Sequence, residues 1–125
     1  MAKILVVDDE FGIGELLREV LSDDHHQVVL ATNGRQGLQM IAKEQPDLVF
    51  LDFMMPVLNG PGMLKAMMED PAMAQIPVIM MSSLPKVSVD ERAHGHVAFV
   101  HKPFQIETIM DIAAAVLAGR NNPPD

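Results

Sequence analysis

Four short apolar runs in this sequence each lead into residues that can do chemistry. Ile4-Leu5-Val6-Val7 runs into Asp8-Asp9-Glu10, Leu48-Val49-Phe50-Leu51 into Asp52, Val78-Ile79-Met80-Met81 into Ser82-Ser83, and Val97-Ala98-Phe99-Val100 into His101-Lys102-Pro103. A single acid at such a place has an ordinary explanation, because strand ends meet water and Asp opens turns. Acids, a hydroxyl and a lysine at all four ends read instead as one site. Carboxylates in contact repel, and without a cation at least one is driven toward its neutral form. A divalent ion removes that conflict. Hard oxygen ligands suit Mg²⁺, which keeps several waters and so leaves room for a phosphoryl oxygen. Lys102 can neutralise the acids at rest and bind a phosphoryl oxygen when one arrives, while Ser82 can donate to another. Asp52 is left as the nucleophile, since a carboxylate can form an acyl phosphate. Phosphoryl transfer asks for positioning and charge stabilisation more than for acid–base help. No Cys nucleophile or Ser–His–Asp set competes with it.

The elements that must position these residues are legible in the hydrophobic pattern. The runs above, with Val28-Val29-Leu30-Ala31, are short, apolar and rich in β-branched residues, as strands buried on both faces are. Between them, Ile13, Leu16, Leu17, Val20 and Leu21 keep helical spacing. A second helix opens at Thr32-Asn33-Gly34 and stops before Pro46. Met63, Leu64, Met67 and Met68 mark a third helix face, and Ile106, Ile109, Met110, Ala113, Val116 and Leu117 a last one. The segment Leu84–Gly95 holds Pro85 and few apolar residues, and predicts only a short or mobile helix around Val89–His94. Strand and helix alternate five times, which predicts an α/β fold: a doubly wound five-stranded parallel sheet with helices on both faces. In such sheets function gathers beyond the carboxyl ends of the strands.

Composition bounds the rest. The chain has 125 residues, 49% hydrophobic, enough for one packed domain. The expected division is a domain over residues 1–119 and a flexible tail over 120–125, where Asn121-Asn122-Pro123-Pro124-Asp125 cannot continue a helix. There are no cysteines, so no disulfide framework is available. No apolar run approaches the roughly 20 residues that span a bilayer, and Met1-Ala2-Lys3 leads straight into a strand rather than a signal peptide. A soluble cytoplasmic protein with no membrane partner is expected. The net charge of −8 without a basic stripe argues against direct binding of nucleic acid.

Eleven methionines are read mainly as core filler, since several fall at helical core spacing or inside strands. The five histidines show no zinc spacing and are read as solvated loop residues. His101, beside Lys102, is a candidate for tuning the site electrostatically.

Four segments together resemble the receiver domain of bacterial two-component response regulators, along about residues 3–118: Ile4-Leu5-Val6-Val7-Asp8-Asp9-Glu10, Asp52-Phe53-Met54-Met55-Pro56-Val57-Leu58-Asn59-Gly60, Pro77-Val78-Ile79-Met80-Met81-Ser82 and Phe99-Val100-His101-Lys102-Pro103-Phe104. The resemblance implies a flavodoxin-like fold with strand order 2-1-3-4-5. It implies that Asp52 takes a phosphoryl group from a phosphohistidine on a histidine kinase or histidine phosphotransfer protein. Asp9, Asp52 and the Met54 backbone carbonyl would bind Mg²⁺ directly, with Asp8 acting through water. Ser82 and Lys102 would contact the phosphoryl group, Phe99 would be the rotating switch aromatic, and the Lys102-Pro103 peptide would be cis. A downstream protein target would dock on the fourth helix, fifth strand and fifth helix. The protein would then be a signalling switch rather than an enzyme in the ordinary sense.

The sequence departs from the family pattern in three places. Ser82 stands where Thr is commoner. The stretch from Ser82 to Lys102 is short for the family. Met54 and Leu84 occupy positions where polar or acidic residues would help water attack the acyl phosphate, which predicts slow self-dephosphorylation. Three other functions compete: a receiver-like interaction module that is never phosphorylated, a receiver cut from a longer regulator or hybrid kinase, and a Mg²⁺-dependent phosphatase. The first loses weight from the intact set Asp8, Asp9, Asp52, Ser82 and Lys102. The last loses weight from Met54, where that class places a second acid.

Overall fold

The computed structural model describes residues 2–121. Strands and helices alternate along the chain: β1 (Lys3–Val7), α1 (Phe11–Asp23), β2 (Gln27–Ala31), α2 (Gly34–Glu44), β3 (Leu48–Asp52), α3 (Gly60–Met68), β4 (Val78–Ser82), α4 (Lys86–Arg92), β5 (Ala98–His101) and α5 (Ile106–Asn121). The strands form one parallel sheet in the order β2-β1-β3-β4-β5. This is the doubly wound, flavodoxin-like (βα)5 arrangement that the alternation and the resemblance imply. The cis Lys102-Pro103 peptide is also present.

The sheet splits its side chains between two cores, because successive strand residues point to opposite faces. Leu5, Val7, Val49, Leu51 and Met80 join Ile41 of α2, Met63, Leu64 and Met67 of α3 and Val89 of α4 in one layer. Ile4, Val6, Leu48, Phe50, Ile79 and Met81 join Leu17 and Leu21 of α1 and Ile109 and Ala113 of α5 in the other. With both faces covered, the central strands carry no polar alternation. Met63, Met67, Met80 and Met81 are core filler, as read from spacing. Met68, Leu16 and Ile106, placed on core faces by the same spacing, are instead exposed by 45%, 37% and 44%.

Local chemistry sets the helix starts. Asn33 accepts from the Gln36 amide and Asn59 from the Gly62 amide, each at 2.8 Å, so each caps a helix. Gln45 closes α2 in the left-handed region at φ 50° and Pro46 follows, as expected for a helix stop. α4 differs from expectation: it begins at Lys86 and ends at Arg92 rather than running from Val89 to His94. Pro85 serves as its N-cap, a place where a missing N–H costs nothing, and extended Ala93 followed by Gly95 at φ 108° stops it early. β3 and β4 each run one residue beyond their apolar stretch, so Asp52 and Ser82 belong to the strands themselves. Among the described residues no helix is long and apolar enough to cross a membrane. α5 extends to Asn121, past the expected domain limit, and residues 122–125 of the expected tail lie outside the described residues.

Candidate functional site

The parallel register brings the strand ends to one edge. Val7 pairs with Ala31 on one side and Leu51 on the other, Asp52 pairs with Met81, and Ser82 pairs with His101. Asp8 and Lys102 follow directly on β1 and β5. The Asp8 amide donates to the Ala31 carbonyl at 3.0 Å and the Lys102 amide to the Ser82 carbonyl at 2.8 Å. Backbone bonds thus fix both residues at the sheet's carboxyl edge before their side chains act.

The carboxylates converge as the sequence implied. Asp8, Asp9 and Asp52 each place an oxygen within 4.8 Å of the others. Asp8 and Asp52 are buried and Asp9 faces solvent. Asp8 Oδ1 is held by the Glu10 amide at 2.9 Å. The Lys102 ammonium reaches in from β5, donating to Asp8 Oδ2 at 2.8 Å and lying 3.3 Å from Asp52 Oδ1 and 3.6 Å from Glu10 Oε1. Glu10 is the one member that sequence reasoning left without a role. Its signal was its place in the acidic triplet.

One lysine does not balance this much negative charge. Burial first, then the neighbouring Asp8 charge, raise the Asp52 carboxyl to a pKa of about 7, against the opposing pull of Lys102. Burial works against the Lys102 ammonium too, but its hydrogen bond to Asp8 and the charges of Asp52 and Asp8 outweigh that and raise its pKa. The pocket therefore holds an always-charged lysine beside carboxylates that are short of positive charge. That imbalance, and a donor set made only of carboxylate oxygens, fit a hard divalent cation.

Ser82 is buried at the end of β4, and its Oγ accepts from the Leu84 amide at 3.0 Å. The hydroxyl hydrogen is free of that bond and can be donated. Phe99 is half-buried against the core layer of α2, α3 and α4, and its ring meets that of His101 in a T-shaped contact at 6.3 Å between centroids. His101 stands apart from the acidic cluster in its hydrogen bonding. It is exposed and its Nε2 donates to the Ser83 carbonyl at 3.0 Å. His26 and His96, expected to be solvated, have side chains only 12% and 11% exposed, each beside an Asp. Met54 and Val57 project into solvent from the loop after Asp52, exposed by 65% and 71%.

That loop is tied down by glycine. A Cβ on Gly60 would lie 2.4 Å from the Asp52 carbonyl oxygen and 2.8 Å from the Phe53 Cα, so only glycine lets α3 start this close to the end of β3. The Gly60 amide donates to the Phe53 carbonyl and the Gly34 amide to the Leu58 carbonyl, at 3.0 and 2.9 Å.

The model of the response regulator receiver domain matches residues 4–114. Sporulation initiation phosphotransferase F of Bacillus subtilis is 37% identical over 122 residues, covering 96% of this chain and 97% of that protein. Protein PilH of Pseudomonas aeruginosa is 35% identical over 121 residues, covering 95% of this chain and all of that one. Among solved structures, the chemotaxis response regulator CheY4 of Vibrio cholerae superposes with a TM-score of 0.87 at 28% identity, over 93% of this chain and 98% of that one. With the family model reaching all five strands of the sheet and the whole acidic edge, this chain belongs to the response regulator receiver domains.

Proposed function

We propose that this domain is a phosphorylation switch in which Asp52 accepts a phosphoryl group in a Mg²⁺-dependent reaction. The observation that carries the reading is the convergence of Asp8, Asp9 and Asp52 around Lys102 at the carboxyl edge of the sheet. Asp52 Oδ attacks the phosphorus of a phosphohistidine on a histidine kinase or phosphotransfer protein. A P–O bond forms, the P–N bond breaks, and the imidazole leaves. Asp8, Asp9, Asp52 and the Met54 carbonyl would hold the magnesium ion, which supplies positive charge to the transferring phosphoryl oxygens. Lys102 and Ser82 hold phosphoryl oxygens by donating to them.

The readout follows from the same groups. A phosphoryl group on Asp52 draws Ser82 toward it, and Phe99 turns into the space vacated beside β4. The surface of α4, β5 and α5 is remodelled, and a downstream protein docks there. Exposed Val87 on α4, Val97 just before β5 and Ile106 on α5, at 64%, 58% and 44%, support a protein-binding role for that face.

Intact-mass spectrometry after incubation with a small phosphoryl donor and Mg²⁺ tests the reading. One phosphoryl addition is expected in the unaltered protein, and none in Asp52→Ala or with chelator present. No addition under any condition overturns it in favour of a phosphorylation-independent interaction module.

A further inference from the structure

α4 is a poor helix by itself. Lys86–Arg92 is seven residues long, about two turns, and includes two valines, a serine and an aspartate. A helix this short does not persist in water without tertiary support. Its apolar support is narrow: within α4 only Val89 is buried, with Ala93 just beyond it. A cleft of about 360 Å³, lined by Lys86, Asp90, His94, His96 and Phe99 among others, opens along the seam between α4 and β5. Side-chain packing across that seam is therefore sparse.

A polar tie crosses it. Asp90 Oδ1 lies 2.9 Å from His96 Nε2, while the other carboxylate oxygen accepts from Lys86 within the helix at 2.6 Å. The Lys86 hydrogen bond first, then the His96 bond, hold the Asp90 carboxyl below its usual range, so it is a charged acceptor. A carboxylate only accepts, so Nε2 carries the hydrogen. The ring is mostly buried, and its Nδ1 has no hydrogen-bond partner among the described residues. The imidazole's polar contact is therefore made to α4. The segment holding the ring is itself well anchored. The Val97 amide donates to the Val78 carbonyl at 2.9 Å, and a Cβ on Gly95 would meet the Met68 sulfur of α3 at 2.8 Å. His96 thus sits next to a residue bonded to β4, on the sheet side of the seam, and Asp90 brings the other half of the bond from α4.

We propose that the Asp90–His96 hydrogen bond is a latch that holds α4 in its resting position, and that opening it shifts the partner-binding face toward its active arrangement. The second clause rests on the reading of that face given under Proposed function. The first stands on the geometry alone. His96 acts here as a positioning residue, remote from the acidic pocket.

Hydrogen–deuterium exchange on the full, unphosphorylated chain tests the latch, comparing the unaltered protein with His96→Leu and His96→Gln. Loss of a bond to a charged group predicts that the amides of residues 86–93 exchange about tenfold faster in His96→Leu, with β1 and β3 unchanged. His96→Gln, which keeps a donor near the position of Nε2, is expected to restore protection. Unchanged exchange in residues 86–93 overturns the latch. Equal acceleration throughout the sheet also overturns it, because His96 would then be a general stabiliser. A Gln variant as fast as the Leu variant removes the hydrogen bond as the cause. A second arm adds a small phosphoryl donor with Mg²⁺. The phosphorylated unaltered protein is expected to show the faster exchange of the Leu variant in residues 86–93, and no change there severs the latch from the switch. If Asp52 takes no phosphoryl group, the switch reading falls while the first arm still decides the latch.

Discussion

The Lys102 ammonium donates to Asp8 at 2.8 Å, across 94 residues of chain, and stands farther from Asp52, at 3.3 Å. The lysine is thus anchored on the acid after β1 and leans toward the end of β3. In this arrangement one positive charge is shared between two buried carboxylates, and Asp52 is the less satisfied of the pair, with its pKa raised to about 7.

Removing that lysine should expose the conflict. Lys102→Met is expected to destabilise the metal-free fold at neutral pH by roughly 2–3 kcal/mol, because it leaves buried acids without their cation. Urea denaturation measures this. Addition of Mg²⁺ should recover part of the loss, and a variant as stable as the unaltered protein would show that the pair contributes nothing to the fold.

The raised pKa of Asp52 has a sign. A carboxyl that binds its proton more tightly folded than unfolded costs nothing in acid, below its unfolded value of 3.8. Its penalty grows as pH rises through the window from 3.8 to about 7 and is complete above that. Asp52→Asn should therefore stabilise the metal-free protein at pH 8 by roughly 1–2 kcal/mol, less than the full linkage value because solvent at the sheet edge screens the site. The gain should vanish near pH 4 and shrink with Mg²⁺ at pH 8. Thermal unfolding across pH reads all three, and a gain independent of pH would locate its cause elsewhere than in titration.

Two glycines separate necessity from tolerance. Gly60→Ala would put a Cβ against backbone at 2.4 Å, which cannot move aside as a flexible side chain would. A loss of roughly 1–3 kcal/mol and weakened Mg²⁺ binding are expected. Gly12→Ala, at an exposed position of α1, meets nothing within 4 Å and should gain about 0.5–1 kcal/mol. Chemical denaturation of both variants is the check.

Val57 is a β-branched residue held at φ 70°, in the left-handed region, with its side chain in solvent. With most of the side chain in water, little packing is available to offset that strain. Val57→Gly is expected to raise stability by about 1 kcal/mol, measured by the same denaturation. A destabilised variant would mean that the valine makes contacts that the strain serves.

The aspartyl phosphate should be long-lived. Met54 and Leu84 offer no polar group to orient an attacking water beside Asp52. Decay followed by mass spectrometry after removal of the donor is expected to take far longer than seconds, and Met54→Glu to hasten it several-fold. Hydrolysis of the unaltered phosphoprotein within seconds would sink this expectation.

The sequence by itself determined the strand and helix order and the cast of the site. Five short apolar runs with amphipathic segments between them leave a doubly wound sheet as the solution that buries both faces, and chemistry at strand ends then has to meet at one edge. Asp8, Asp9, Asp52, Ser82 and Lys102 were named from that logic, and they do meet at that edge. What the tertiary structure decided were matters of distance and of weak local signals. Periodicity does not say that Lys102 is nearer Asp8 than Asp52, or that Glu10 reaches the same ammonium, because side-chain reach across strands is set by packing. It misplaced α4, whose residues carry little helical preference, so its limits follow from Pro85, Ala93 and Gly95 and its hold from Val89 and the bond to His96. It read His26 and His96 as solvated, since a loop histidine shows no pattern. Only the path of the chain around α3 and β5 buries the ring of His96 and turns it into an anchor for the helix above it.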